Sequence, residues 1–107
     1  MITARFSREN GHITAFSISG HSGLAEAGSD ILCAAVSSMS TLVANTLTEV
    51  FGAEADIKAD ERIPLFSLSL KSLNPENEDA IFGVLRGFYL QLEDLSRQYP
   101  DNLKITD

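Results

Sequence analysis

The feature that most constrains the fold of this chain is an Asn10-Gly11 dipeptide between two runs of alternating apolar and polar residues. Asn-Gly favours a two-residue type I′ turn, because both central residues of that turn need a positive φ, which Gly adopts freely and Asn tolerates. Alternation with a period of two is typical of strands that bury one face. The apolar members are Ile2, Ala4 and Phe6 before the turn and Ile13, Ala15, Phe16 and Ile18 after it. The sequence therefore predicts a β-hairpin at the start of the chain.

A helix is predicted after a glycine-rich segment. From Gly20 to Ser29 the chain has three glycines and no periodic apolar face, so we expect a loop there. Beyond the loop, apolar residues recur every three or four positions, which predicts a helix that ends near Gly52. Its expected buried face consists of Leu32, Val36, Met39, Val43, Leu47 and Val50.

Two more strands and a second helix are predicted in the remainder. The strand-like runs are Ala55 to Ala59 and Leu65 to Lys71. The triplet Asn74-Pro75-Glu76 is typical of a helix start, because Asn caps, Pro tolerates the first position and an acid suits the positive end of the dipole. Pro100 is expected to end this helix. Its apolar stripe consists of Ile81, Leu85, Phe88, Leu92, Leu95 and Tyr99.

These elements give the order β-β-α-β-β-α, with Leu103 to Ile105 as a candidate short final strand. We expect an α+β fold in two layers, a mostly antiparallel sheet with two helices on one face. The length of 107 residues suits a single domain over 1–107. Gly83 and Gly87 interrupt the second helix and are predicted to let another backbone approach closely.

Composition and charge narrow the function classes. Apolar residues make up 44% and charged residues 21%, as in ordinary globular proteins. We find no stretch near the ~20 apolar residues of a bilayer span, and Met1 to Arg5 lacks the basic-then-apolar order of a signal peptide. We therefore expect a cytoplasmic protein without membrane contact. The net charge of −7 repels phosphate backbones, so we expect no direct nucleic-acid binding. A basic protein or peptide would be an easier partner. Solubility alone is the commoner reason for such a charge in an ordinary cytoplasmic protein.

The candidate reactive groups are a cysteine and a histidine near the first helix. Cys33 is the only cysteine, so an intramolecular disulfide and a C-x-x-C redox motif are excluded. It falls in the first helical turn, where amides and the helix dipole favour an anionic thiolate. His21 lies on the loop before that helix, and the loop can fold back so that imidazole meets sulfur. Nucleophilic catalysis by a thiol needs this pairing.

The same residues also have ordinary structural roles. A lone cysteine beside alanines is more often a small buried residue than a nucleophile. His21 also suits an exposed loop, as does His12 beside the hairpin turn. Asp30 is placed to cap the helix through its carboxylate, a role compatible with orienting His21. The residues alone favour the ordinary structural role for Cys33, although they are also compatible with catalysis.

Metal and phosphate sites are disfavoured by the same sequence. A structural zinc site normally uses several closely spaced thiolates or imidazoles, and this chain has one thiolate. No Lys or Arg occurs between Arg8 and Lys58, and no phosphate-loop spacing is present near the glycines. We therefore expect neither a metal nor another cofactor.

Two linked motifs resemble the signature of a known family. Gly20-His21-Ser22-Gly23 is followed by Gly28-x-Asp30-Ile31-x-Cys33-Ala34-Ala35-Val36-Ser37. Together, at this spacing, they resemble the ribosomal processing cysteine proteases of bacteria. The resemblance implies a cysteine peptidase in which His21 and Cys33 form a catalytic dyad. The chain departs from the family pattern at Ser22, where alanine is common, and at Leu24 and Ala27, where aromatic residues are frequent.

The resemblance also implies a substrate and an assembly. The implied substrate is the N-terminal extension of large-subunit ribosomal protein twenty-seven, cut after a pair of phenylalanines, and the implied assembly is a homodimer. We assign supporting or orienting roles to Asp30 and Ser37, and we expect amides at the helix start near Cys33 to stabilise the oxyanion. The expected active-site loop contains Gly20, Ser22, Gly23 and Gly28.

A second function class is a non-enzymatic acidic module. It would bind a basic ribosomal protein during ribosome assembly, with Cys33 as an unreactive core residue. The rate at which the native thiol reacts with an alkylating reagent separates the two, because a buried core thiol reacts only after unfolding.

Overall fold

The chain opens with the predicted hairpin in the computed structural model, which describes residues 1–21, 30–60, 62 and 65–107. Strand β1 spans Ile2–Glu9 and strand β2 spans His12–Ser19. Asn10 has a φ of 53° and Gly11 a φ of 81°, as a type I′ turn requires. The prediction from Asn10-Gly11 is confirmed.

A β-bulge within the hairpin explains the irregular apolar spacing of β2. The pairing skips Thr14, opposite the step from Ser7 to Arg8. Ile13 and Phe16 are consequently both buried, although they are three residues apart. Arg8 pairs with Ile13 and lies near the turn end of the hairpin.

Within the described residues, five strands form one mixed sheet in the order β3-β4-β2-β1-β5. Strand β3 spans Glu54–Asp60, β4 spans Leu65–Ser72 and β5 spans Leu103–Thr106. The pairs among β1 to β4 are antiparallel, whereas β5 pairs parallel to β1. The predicted α+β class and mostly antiparallel sheet are confirmed, and the candidate final strand is present.

The first helix changes its winding before it ends. Helix α1 spans Ile31–Asn45 and continues into a π-helical turn over Thr46–Val50. The Phe51 amide donates to the carbonyl five residues earlier at 3.1 Å, and Gly52 has a φ of 68° where the helix is predicted to end. Because the π-helical turn is wider, Val50 leaves the buried face of the helix and is 70% exposed. Its predicted burial is therefore wrong. The other predicted members are buried or, for Met39, half-buried.

Helix α1 and its π-helical turn form a longer apolar stretch than we expected from the sequence. The 20 residues Ile31–Val50 are long and apolar enough to cross a membrane by length and composition alone, so the expectation that no such stretch exists is wrong. One such helix is weak evidence of a span, because the core helix of a soluble protein meets the same criteria. Ile31 and Leu42 are 69% and 65% exposed, so much of the apolar surface of this helix is uncovered.

The second helix begins later than predicted. Helix α2 spans Glu78–Gln98, with Asn77 at the N-cap position. Asn74 instead forms a turn, in which its side chain accepts from the Glu76 amide at 3.0 Å and its carbonyl accepts from the Asn77 amide at 2.9 Å. The prediction of Asn74 as the cap is wrong because its side chain bonds two residues ahead, as Asn does in turns. The Asn77 side chain donates to the Phe51 carbonyl at 2.9 Å and ties this start to the end of the first helix.

Both helices pack on one face of the sheet and share one core with it. The predicted stripe of α2 is confirmed, with four residues buried and the last two half-buried: Ile81, Leu85, Phe88, Leu92, Leu95 and Tyr99. Gly83 and Gly87 are exposed, and a Cβ added at either would meet nothing within 4 Å. No other backbone of the described chain approaches them, so the predicted close approach is wrong within this chain.

Candidate active site

Asp30 fixes the helical turn that carries the cysteine. Its Oδ1 accepts hydrogen bonds from the amides of Leu32 and Cys33, each at 3.1 Å, and its carbonyl accepts from the Ala34 amide at 3.1 Å. Asp30 is buried and Cys33 is half-buried in the first turn of α1. The predicted N-cap and the predicted position of the cysteine are confirmed. The cap holds the backbone that positions the thiol.

The cap also limits the donors at this helix start. The amides of Leu32 and Cys33 already bond to one carboxylate oxygen. An oxyanion would have to compete with the Asp30 carboxylate for these two N–H groups. A role for first-turn amides in oxyanion stabilisation therefore stays a prediction, and it requires Asp30 to release them.

Gly20 sets the direction in which the chain leaves β2 toward the histidine. Its φ is 88°, and a Cβ at this position would clash with the carbonyl oxygen of Met1. Both observations require glycine, which adopts positive φ without strain. His21 follows directly and is exposed. Glycine before the histidine is thus a requirement of the backbone.

Part of the predicted loop lies outside the described residues. Ser22, Gly23 and Gly28 belong to residues 22–29, which the structure does not describe. Their membership of the active-site loop stays a prediction. The pairing of His21 with Cys33 and the orientation of His21 by Asp30 also stay predictions.

A cavity of about 220 Å³ brings Gly20 and Ser37 together. Ser37 lies one helical turn after Cys33, so the two side chains share a face of α1. The end of β2 that carries Gly20 therefore lies beside the turn of α1 that follows the cysteine. The remaining walls come from the sheet and are Ile18, Ala59, Asp60, Leu65 and Phe66.

The strand residues that line this cavity were not predicted from the sequence. Phe66 pairs with Ile18 on one side and with Ala59 on the other, which brings three strands to one wall. Strand order and register are non-local, so no spacing in the sequence reports them. The available signal was the apolar pair Leu65-Phe66 at the start of the predicted fourth strand.

Asp60, the acid that lines this cavity among the described residues, is engaged locally. The Asp60 carboxylate accepts from the Arg62 backbone amide at 3.0 Å and from its Nε at 3.4 Å. Among the described residues, no group of three or more His, Cys, Asp or Glu side chains is placed to hold a metal ion. The Cys33 thiol and the His21 imidazole stay the predicted reactive groups, a pair of the kind that nucleophilic catalysis uses.

Comparison with known proteins gives concordant results. The family model described as cysteine protease Prp matches residues 1–104. The ribosomal processing cysteine protease Prp of Bacillus subtilis (strain 168) is 33% identical over 106 residues, covering 97% of this chain and 93% of the relative.

Two crystal structures of an essential ribosomal processing protease Prp from S. aureus share the fold. The complex with a covalently linked product peptide has a TM-score of 0.86 at 23% identity and covers 99% of this chain and 98% of that chain. The complex with a substrate peptide has a TM-score of 0.81 at 22% identity and covers 100% of both chains. At these identities the likeness establishes the architecture.

Proposed function

This chain belongs to the cysteine protease Prp family, and on that premise we propose that Cys33 and His21 form the catalytic dyad of a ribosomal-protein-processing peptidase. Membership of this family makes the chain a cysteine protease. The observation that carries the assignment of the nucleophile is the hydrogen bond by which the buried Asp30 carboxylate holds the Cys33 amide in the first turn of α1. A cap of this kind fixes the backbone of a half-buried thiol at a helix start, where catalytic cysteines are favoured.

The proposed reaction proceeds through an acyl-enzyme. His21 takes the proton of the Cys33 thiol, the resulting thiolate attacks the scissile carbonyl carbon, the C–N bond breaks, and His21 gives that proton to the departing amine. The acyl group is then held as a thioester on the sulfur. His21 next removes a proton from water, which attacks the thioester and releases the carboxylic acid and the free thiol.

We propose the N-terminal extension of large-subunit ribosomal protein twenty-seven as the substrate. The S. aureus relative was crystallised with a substrate peptide and with a covalently linked product peptide, which supports a peptide as the ligand here. The cavity beside Gly20 and Ser37 supports a bulky apolar side chain in that peptide. Its volume of about 220 Å³ is sufficient for an aromatic ring, since apolar cavities of about 150 Å³ take up benzene.

Direct cleavage of the extended ribosomal protein tests the proposal. The purified chain is incubated with that protein, and the product mass is measured. We expect loss of the extension after the phenylalanine pair, no change with Cys33→Ala, and no change when both substrate phenylalanines are replaced by alanine. An unchanged substrate mass with the folded wild-type enzyme would reject this substrate.

A non-enzymatic module has less support. The family model is described as a cysteine protease, and the matched relative has the same description. Native alkylation by iodoacetamide provides a check that needs no substrate. Rapid labelling of Cys33 supports a reactive thiolate, whereas labelling only in denaturant supports a core residue.

The proposed assembly is a homodimer that covers an apolar groove between α1 and α2. The groove has a volume of about 300 Å³, and its non-polar lining residues are Met39, Leu42, Val43, Val84, Gly87 and Phe88. None of the described residues that line the groove is charged, so a basic ribosomal protein would find no charge partner among them. An identical apolar face on a second copy would be self-complementary. The proposal places this dimer in the cytoplasm, where ribosomal proteins are assembled.

A further inference from the structure

A second cavity gathers basic side chains of this acidic protein far from the cysteine. It has a volume of about 230 Å³ and lies between the hairpin turn and α2. Strand β2 runs from His12 to Ser19, about 24 Å along an extended strand, and His21 lies beyond its far end. The lining side chains that matter for its chemistry are Arg8, His12, Arg86, Asp79 and Phe82, together with Gly83.

Two of the basic groups are held in place by aromatic rings of α2. The His12 imidazole stacks on the Phe82 ring with centroids 4.1 Å apart and planes 5° apart. The Arg8 guanidinium carbon lies 5.0 Å from the Tyr89 ring centroid, and its Nε lies 3.6 Å from an Asp107 carboxylate oxygen. Cation–π contact orients a guanidinium without using all of its N–H donors. The Arg8 and His12 side chains are therefore partly fixed before any ligand arrives.

The third basic group of the cavity is Arg86, and Gly83 leaves one wall of the cavity open. Arg86 lies one turn after Phe82, and it forms no ion pair with another described residue. Asp79 is the only acid in the lining, and among the described residues it is likewise absent from the ion pairs. Gly83 leaves the wall open, since an added Cβ would meet nothing within 4 Å.

We propose that this cavity binds a phosphate group. The lining has two guanidinium groups and one imidazole beside the Asp79 carboxylate, and the Asp107 carboxylate that pairs with Arg8 lies outside the lining. Arg86 is thus the guanidinium of this cavity that pairs with no carboxylate among the described residues. The guanidinium fork matches phosphate oxygens in a bidentate manner, and the non-bridging oxygens of one phosphate group can accept from both arginines. The ligand is either free phosphate or a phosphodiester of RNA, which share this oxyanion chemistry.

The overall negative charge does not prevent such a site. The chain has a net charge of −7, but at physiological ionic strength charges more than about 8 Å away are largely screened. The groups within contact distance of the ligand then determine affinity. The expectation that this chain does not bind nucleic acid rested on net charge, and the clustering of Arg8, His12 and Arg86 is a local exception to that charge.

Titration of the full-length protein by nuclear magnetic resonance tests the site. Inorganic phosphate and a short oligouridine without terminal phosphates are the two probes, each compared with chloride at equal ionic strength. We expect saturable shifts of backbone amides in residues 8–13 and 79–86. Saturation by inorganic phosphate identifies the free ion as ligand, and saturation by the oligouridine alone identifies the phosphodiester.

Three variants decide whether the cavity is responsible. Arg86→Gln should weaken binding at least tenfold, while Arg97→Gln makes the same charge change on α2 outside the cavity and should change it less than twofold. Gly83→Leu directs a side chain into the open wall, so it should abolish binding, while its higher helix propensity preserves the fold. No saturable shift with either probe, or equal weakening by the two arginine variants, would overturn the proposal.

Discussion

The backbone amide of Cys33 donates a hydrogen bond to the side-chain carboxylate of Asp30 at 3.1 Å. The carboxylate that caps α1 therefore touches the residue proposed as the nucleophile. Capping requires a side-chain oxygen, whereas orienting a histidine benefits from a negative charge. Substitution of Asp30 can separate these two roles, because Asn keeps the oxygen and removes the charge.

Asp30→Asn should retain stability and lose part of the activity. Asn caps helices about as well as Asp, so the free energy of unfolding should change by only a few tenths of a kcal/mol, whereas Asp30→Ala should cost about 1 kcal/mol. Urea denaturation measures the first effect, and turnover of the extended ribosomal protein measures the second. Full activity of Asp30→Asn would limit Asp30 to a cap.

Cys33→Ala and His21→Ala should each abolish turnover with little effect on folding. The two groups act as one unit, so the double variant should be no less active than either single variant. The measurement is product formation by mass spectrometry, with thermal unfolding as the control for folding. A variant that retains near-wild-type turnover would remove its residue from the mechanism.

Local patterns in the sequence predicted the elements of this fold. Asn10-Gly11 specifies its turn through the backbone of two adjacent residues, and the apolar stripe of α2 repeats along one helix face. Two local predictions were wrong where a neighbouring bond changed the geometry. Val50 left the buried face because the helix widened into a π-helical turn, and Asn74 capped a turn before the helix began.

The candidate site was predictable only where its residues are close in sequence. Asp30 and Cys33 lie three positions apart, so the cap follows from a helix-start pattern. The cavity wall at Phe66 depends on pairing with Ile18 and Ala59, which is set by the order of the strands. The cluster of Arg8, His12 and Arg86 likewise depends on how α2 packs against the hairpin. Such contacts follow from tertiary packing and leave no periodic signal.

Ser37→Leu should weaken binding of the peptide while leaving the chemical step less affected. Ser37 lines the cavity beside Gly20, and a leucine there reduces the space for an aromatic side chain. Ser38→Leu is the matched control, because Ser38 is exposed on the next position of α1 and is absent from the cavity lining. Steady-state kinetics should show KM raised roughly tenfold for Ser37→Leu alone, an effect of about 1.4 kcal/mol. Equal KM values in the two variants would exclude the cavity as a substrate pocket.

Leu42→Glu should convert the proposed homodimer into a monomer. Leu42 is 65% exposed and lines the apolar groove between α1 and α2, where a carboxylate would lose solvation in a dimer. Thr41→Glu adds the same charge at an exposed neighbour that does not line the groove. Light scattering at micromolar concentration should give two chains for the wild type and Thr41→Glu, and one chain for Leu42→Glu. A wild type with the mass of one chain would remove the dimer from the proposal.

Gly20→Ala should destabilise the fold, whereas Gly83→Ala should stabilise it. At Gly20 the φ of 88° strains any L side chain, and the added Cβ meets the Met1 carbonyl oxygen, so the free energy of unfolding should fall by about 2 kcal/mol or more. At Gly83, in the middle of α2, the added methyl meets nothing within 4 Å, and the helix propensity of alanine should add about 0.5–1 kcal/mol. Urea denaturation of both variants gives opposite signs if the backbone at Gly20 is as described. Unchanged stability of Gly20→Ala would show that the chain leaves β2 along another path, and the placement of His21 would then have to be revised.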